Sequence, residues 1–176
     1  MTVAVLQVSL SNGRTWSVSL EKLAAAIHVT IADIDEEFAA SDPLFRLGRL
    51  REFDFVETAA AASILQSFYT GLENLAVYLC KNLDGSVPQT PSWHRDLLDL
   101  ASQTTSNRIT IFSPATRDLL ATYLDFRHVV RHGYARHLKS DRTRDLFLAV
   151  PRVWEAARED LEQFTRVLQN TPNDQP

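Results

Sequence analysis

The chain has 176 residues, 45% of them apolar and 23% charged, which is enough for one domain with a hydrophobic core. Five Gly and seven Pro exclude a collagen-like or low-complexity chain. A single cysteine, Cys80, excludes an internal disulfide and a zinc site built from cysteines. No uncharged apolar stretch reaches the ~20 residues of a membrane helix, and no basic region precedes the first apolar stretch. We therefore expect a soluble, cytoplasmic protein with no membrane partner.

The net charge of −4 is unevenly distributed. Residues 20–42 hold six acidic residues against one lysine, whereas residues 126–144 hold six basic residues against one aspartate. Three of the five histidines also fall within the basic stretch. A basic stretch on an acidic protein favours a bounded anionic ligand. The simpler alternative is that both stretches are solvated faces that pair with each other.

In chain order, the first predicted element is a β-hairpin within residues 1–18, where two short apolar strands flank Asn12-Gly13. Apolar residues spaced three and four apart then predict an amphipathic helix over about 20–38. A second helical region runs over about 43–82, with an apolar face that begins at Val56 and Ala60. Because forty residues are long for one globular helix, we expect a break near 52–55, and Gly85 follows the end.

Three later helix starts each combine a capping oxygen with a proline, at Asp42-Pro43, Thr90-Pro91 and Ser113-Pro114. They open the second region and the helices predicted at 93–101 and about 114–133. A last helix covers about 144–168, which Pro151 either kinks or starts. The sequence thus predicts an all-α bundle of about five helices over 19–168, with a hairpin or extension at 1–18 and a flexible tail at 169–176.

The densest polar cluster runs from Arg127 to Tyr134, at the end of the helix predicted at about 114–133 and inside the basic stretch. Histidine can exchange a proton near neutral pH, and arginine can hold a phosphate with its planar fork. Together they suit phosphodiester cleavage in RNA, where the 2′-hydroxyl is the nucleophile and no metal is required. Arg127 and His132 lie about 140° apart around a regular helix. Either Gly133 loosens the helix, or the site forms between two chains.

Two other interpretations of this cluster remain open. His128 and His132 are four residues apart with Asp125 nearby, which is a weak metal-binding pattern. Alternatively, the Arg and His side chains form an ordinary helix surface, where positive charge is favourable near the carboxyl end. Cys80 lies on an apolar helical face and is interpreted as a packed thiol.

Arg127-x4-His132-x-Tyr134 resembles the R-x4-H-x-Y motif of HepT-like toxins in the HEPN superfamily, and His128 fits the polar position after the arginine. A second region is also similar to these proteins. It comprises Tyr69-x3-Glu73-Asn74, Asp84-Gly85, Pro88 and Trp93-His94-x2-Leu97-Leu98. The resemblance covers about 51–168 and implies a HEPN-type helical bundle that forms a homodimer with the motif at or near the interface.

The resemblance also implies a function. HepT-like proteins are metal-independent ribonuclease toxins of toxin–antitoxin pairs, with no cofactor and with RNA, transfer RNA included, as the expected substrate. Their antitoxin partner is an MntA-like nucleotidyltransferase, which can transfer AMP to the motif tyrosine, here Tyr134. Carried over by position, Arg127 would hold the scissile phosphate and His132 would be the general acid/base. AMP on Tyr134 would block RNA.

Supporting roles are less defined. Glu73 and Asn74 are expected either to orient Arg127 or to form a structural ion pair or hydrogen bond. His94 is a candidate for a substrate contact or a capping contact, and His128 is a candidate for a substrate or supporting contact. Arg131 is expected to be either a phosphate contact or a solvated charge. The alternative functions are a non-catalytic HEPN subunit that binds a nucleotidyltransferase or nucleotide, and a helical module that docks an acidic partner.

Overall fold

The computed structural model of the protein describes residues 19–132 and 138–170, apart from the side chain of His132. This part folds into six α-helices: α1 (Leu20–Ala40), α2 (Asp42–Leu50), α3 (Phe55–Leu83), α4 (Trp93–Ala101), α5 (Pro114–His132) and α6 (Ser140–Asn170). The all-α prediction is confirmed, with six helices rather than about five in the described ranges. The predicted hairpin and residues 171–176 of the predicted tail lie outside the described residues.

The predicted break of the second helical region is confirmed at 51–54. Asp54 starts α3 with a capping box, in which its carboxylate accepts from the Glu57 amide and the Glu57 carboxylate accepts from the Asp54 amide. At the other end, Gly85 takes a φ of +79°, a conformation that glycine adopts without a Cβ clash. Local capping therefore fixes both ends of the longest central helix.

Of the three predicted proline starts, only the third has the predicted side-chain cap. The Ser113 hydroxyl accepts from the Thr116 amide at 3.2 Å and so caps α5. Asp42 is already inside α2 and pairs with Arg46, so it does not cap. Thr90 hydrogen-bonds to the carboxylate of Asp96, and α4 begins only at Trp93. In these two cases other partners occupy the oxygens that the sequence assigns to capping.

Helix α3 lies at the centre and packs against α1, α4, α5 and α6. The prediction of its apolar face is wrong over the first two turns, where Val56 is 71% exposed and Ala60 is also exposed. The inward positions there are Thr58 and Ala61, because the Thr58 hydroxyl meets Ser140 at the start of α6. From Leu65 onward the predicted face is confirmed at its main positions: Phe68, Leu72, Leu75 and Leu79 are buried.

Helix α6 starts earlier and ends later than predicted, at Ser140 and Asn170. Pro151 lies inside this helix, so it does not mark the start. The apolar spacing of this helix predicts a set of inward residues, and all of them are buried: Val150, Val153, Ala157, Leu161, Phe164 and Leu168. Among the described residues, no helix is both long and apolar enough to cross a lipid bilayer.

The acidic and basic stretches have different partners in the described ranges. Asp35 of α1 accepts from Trp154 and Arg158 of α6. Arg144 of the basic stretch pairs with Glu52, and Arg127 pairs with a carboxylate of α3. These observed pairs do not join one stretch to the other, which leaves the anionic-ligand interpretation of the basic stretch in place.

Candidate active site

Three helices bring a glutamate, a histidine and an arginine into one cluster. Glu73 Oε1 of α3 lies 2.7 Å from His94 Nδ1 of α4, and Glu73 Oε2 lies 3.1 Å from Arg127 Nη2 of α5. Arg127 Nη1 also lies 3.4 Å from His94 Nδ1 and 3.5 Å from Nε2. Each of the three side chains therefore contacts the other two, and we refer to them as the Glu–His–Arg cluster.

The cluster is largely withdrawn from solvent. The side chains of Glu73 and Arg127 are 4% and 7% exposed, and that of His94 is 15% exposed. A buried carboxylate is costly unless its oxygens are paired, and both oxygens of Glu73 have partners. Arg127 is therefore not a solvated residue of an ordinary helix surface, which was one of the open interpretations.

Arg127 is incompletely satisfied. Its Nε is the one buried side-chain nitrogen or oxygen in the described ranges that lacks a hydrogen-bond partner. Buried donors without a partner are rare in folded proteins and each needs an explanation, such as strain or a functional role. The arginine that carries the sequence motif thus retains an unused donor.

His94 is held on its faces as well as at Nδ1. Arg127 Nη1 is almost equidistant from the two ring nitrogens, which places it over the ring, since an in-plane position at these distances would overlap Cε1. The Trp93 ring stacks on His94 with centroids 3.6 Å apart, and the ring of His128 meets His94 edge-on at 5.7 Å. These contacts fix the orientation of the imidazole.

The local sequence explains why His94 lies here. Pro91 precedes α4, and His94 falls in its first turn, where Thr90 and Ser92 both hydrogen-bond to Asp96. This network fixes the start of α4. Tyr69 is buried one turn before Glu73, and burial, followed by the nearby Glu73 carboxylate, raises its pKa.

The remaining predicted site residues are placed as follows. Asn74 does not join the cluster; it is exposed and lines a groove of about 740 Å³ between α1 and α3. His128 and Arg131 are exposed on α5. The His132 side chain and Tyr134 lie outside the described residues. The structure therefore brings together Glu73, His94, His128 and Arg127, and separates Asn74 from them.

Sequence reasoning missed an ion pair that links α4 to α5. Arg95, next to His94, donates to Asp125 at 2.7 Å, and both side chains are about half exposed. Asp125, which lies three residues before His128 in the weak metal-binding pattern, therefore pairs with an arginine. Within the described ranges, no three His, Cys, Asp or Glu side chains are grouped as metal ligands.

The comparison with protein families covers the part of the chain that holds this cluster. A family model described as HepT-like protein matches residues 60–168, which include all three members of the cluster. The chain belongs to the HepT-like family, and hence to the HEPN superfamily. No match was found among curated proteins or solved structures.

Proposed function

We propose that the protein is a metal-independent ribonuclease toxin of a toxin–antitoxin pair. The observation that carries this proposal is the motif arginine, Arg127, which is buried in the Glu–His–Arg cluster with an unused Nε donor. A guanidinium held at a fixed place can bind a phosphate without first becoming ordered. In RNA, the 2′-hydroxyl attacks that phosphate and His132 exchanges the proton.

The geometry of α5 supports a site shared by two chains. The helix continues through His132, so Arg127 and His132 are five residues apart on one helix, about 140° around its axis. A twofold homodimer would bring Arg127 of one chain near His132 of the other. His128 and Arg131, both exposed on α5, would contact the RNA backbone beside this site.

Regulation is proposed at Tyr134 by an MntA-like nucleotidyltransferase as the antitoxin partner. AMP on Tyr134 would place an anionic group within two residues of His132. Its phosphate would occupy the positive charge that RNA needs, and its bulk would block access.

The deciding experiment is RNA cleavage in EDTA. The wild type, shown by intact mass to carry no nucleotide, is incubated with total RNA beside His132→Ala and His28→Ala. His28 is an exposed histidine on α1 and is the matched control. We expect discrete fragments from the wild type and from His28→Ala alone. Cleavage that needs a divalent ion, or that persists in His132→Ala, would contradict the proposal. A deoxyribose at the scissile position should stop cleavage.

A second candidate is a non-catalytic HEPN subunit that binds a nucleotidyltransferase or nucleotide. The burial of Arg127 favours it, because a guanidinium 7% exposed that pairs with Glu73 can serve the fold alone. In that case RNA stays intact with unmodified protein, while complex formation survives in His132→Ala.

A further inference from the structure

The Glu–His–Arg cluster has the chemistry of an oriented base. A carboxylate has no hydrogen to donate, so the 2.7 Å contact requires His94 Nδ1 to donate to Glu73 Oε1. In the neutral ring this places the lone pair on Nε2, the nitrogen that can accept a proton. A carboxylate on Nδ1–H also stabilises the imidazolium that forms when Nε2 takes a proton.

The same ring lies beside the proposed phosphate ligand. Arg127 Nη1 is 3.5 Å from His94 Nε2, so a phosphate bound by that guanidinium would lie within a few ångströms of the nitrogen. Among the residues that the structure describes, the titratable groups observed against His94 are Glu73 from α3 and Arg127 and His128 from α5. The only carboxylate among them is the one that holds Nδ1.

We propose that His94 is a catalytic base for RNA cleavage, with Glu73 as its positioning residue. This inference rests on the proposed ribonuclease function and gives one chain both a phosphate ligand and a base. His132 then acts as the acid rather than as both acid and base.

The proposed cleavage step conserves bonds and protons, and a later proton exchange with water restores the enzyme. His94 Nε2 takes the proton of the 2′-hydroxyl while the 2′-oxygen forms a bond to phosphorus. The bond between phosphorus and the 5′-oxygen breaks, and the 5′-oxygen takes a proton from His132. The products are a 2′,3′-cyclic phosphate and a 5′-hydroxyl, and water returns the proton from His94 to His132.

The experiment measures kcat and KM against pH for a short RNA cleaved by the full-length wild type, His94→Gln, Glu73→Gln and His28→Ala. Removal of a general base costs 10²- to 10⁴-fold. We expect His94→Gln to lower kcat by at least about 100-fold with KM changed less than about threefold, and to flatten the limb of the profile that rises with pH. Glu73→Gln should lower kcat less and keep that limb.

Thermal unfolding of each variant separates a loss of catalysis from a loss of folding. Glutamine was chosen at position 94 because it keeps a polar group that Glu73 can contact. A folded His94→Gln enzyme with the wild-type profile would overturn the base assignment while leaving the ribonuclease proposal intact. A His94→Gln enzyme that loses activity only in proportion to its unfolded fraction would also overturn it. An inactive, nucleotide-free wild type would overturn both proposals.

Discussion

Two buried arginines of this protein pair with carboxylates in different ways. Arg108, in the connection between α4 and α5, donates through Nε to Asp84 and through its other nitrogens to the carbonyls of residues 100, 103 and 109. Arg127 contacts only side chains among its observed partners, shares Glu73 with His94, and keeps Nε unpaired. An arginine bound to backbone carbonyls holds a loop, whereas one held by titratable side chains with a spare donor is suited to a ligand.

The largest loss of folding stability is expected when Arg108 is replaced. Its side chain is 1% exposed, so Arg108→Ala removes the donor to Asp84 Oδ2 and to three backbone carbonyls, although Asp84 Oδ1 keeps the hydrogen bond from Thr105. Removing one member of a buried pair costs about 3–5 kcal/mol. Urea unfolding should show this loss, and a loss below about 1 kcal/mol would remove the structural role from Arg108.

Arg127→Ala is expected to cost less, about 1–3 kcal/mol, because it removes the donor of one carboxylate oxygen, Glu73 Oε2, and of no observed backbone carbonyl, and because an unsatisfied donor disappears. The same urea measurement, run beside Arg108→Ala, tests the ranking. A larger loss at Arg127 than at Arg108 would mean that both pairs are structural and would break the comparison.

The Cys80 thiol, which lies beside Arg108, should make the free energy of unfolding depend on pH. Its thiol is buried 3.5 Å from Arg108, and burial raises its pKa from the ordinary value of 9.0 to about 11, despite the nearby arginine. A raised pKa stabilises the fold below pH 9, and this contribution is lost as pH rises through about 11. The free energy of unfolding should therefore fall by about 1–2 kcal/mol over this interval. Cys80→Ala should fall less steeply; an identical slope would refute this assignment.

The smallest loss of folding stability is expected for the ion pair between Arg95 and Asp125, whose side chains are both about half exposed. Asp125→Ala should change the free energy of unfolding by less than about 1 kcal/mol, because water screens such pairs. Thermal unfolding at low and high salt would check it. A larger loss of stability that does not depend on salt would mean that this pair behaves like the buried pairs of Arg108 and Arg127.

Much of the fold was predictable because its helices are amphipathic and their ends carry local signals. The stripe of α1 and the bounds of α4 follow from apolar spacing and helix-start signals, and the break before α3 follows from the length of the second helical region; in the structure, capping at Asp54 fixes its position. The early start of α6 did not, because Ser140 is held by Thr58 and by the Phe53 carbonyl, both distant in sequence.

The candidate site was only partly predictable for a related physical reason. The motif on α5 could be found from sequence, and Glu73 and His94 were named as candidates from the resemblance. Their mutual contacts depend on how three helices pack, as do the burial of Arg127 and the exposure of Asn74. A linear pattern carries no information about which atoms remain unpaired after packing.

One paired measurement tests the central claim most directly: RNA cleavage and urea unfolding of Arg127→Lys beside Arg108→Lys. Lysine keeps the charge but loses the planar fork of donors. The account predicts that Arg127→Lys folds and cleaves at least about 100-fold more slowly, while Arg108→Lys is less stable but cleaves normally per folded molecule. A folded Arg127→Lys enzyme that cleaves as fast as the wild type would contradict the account.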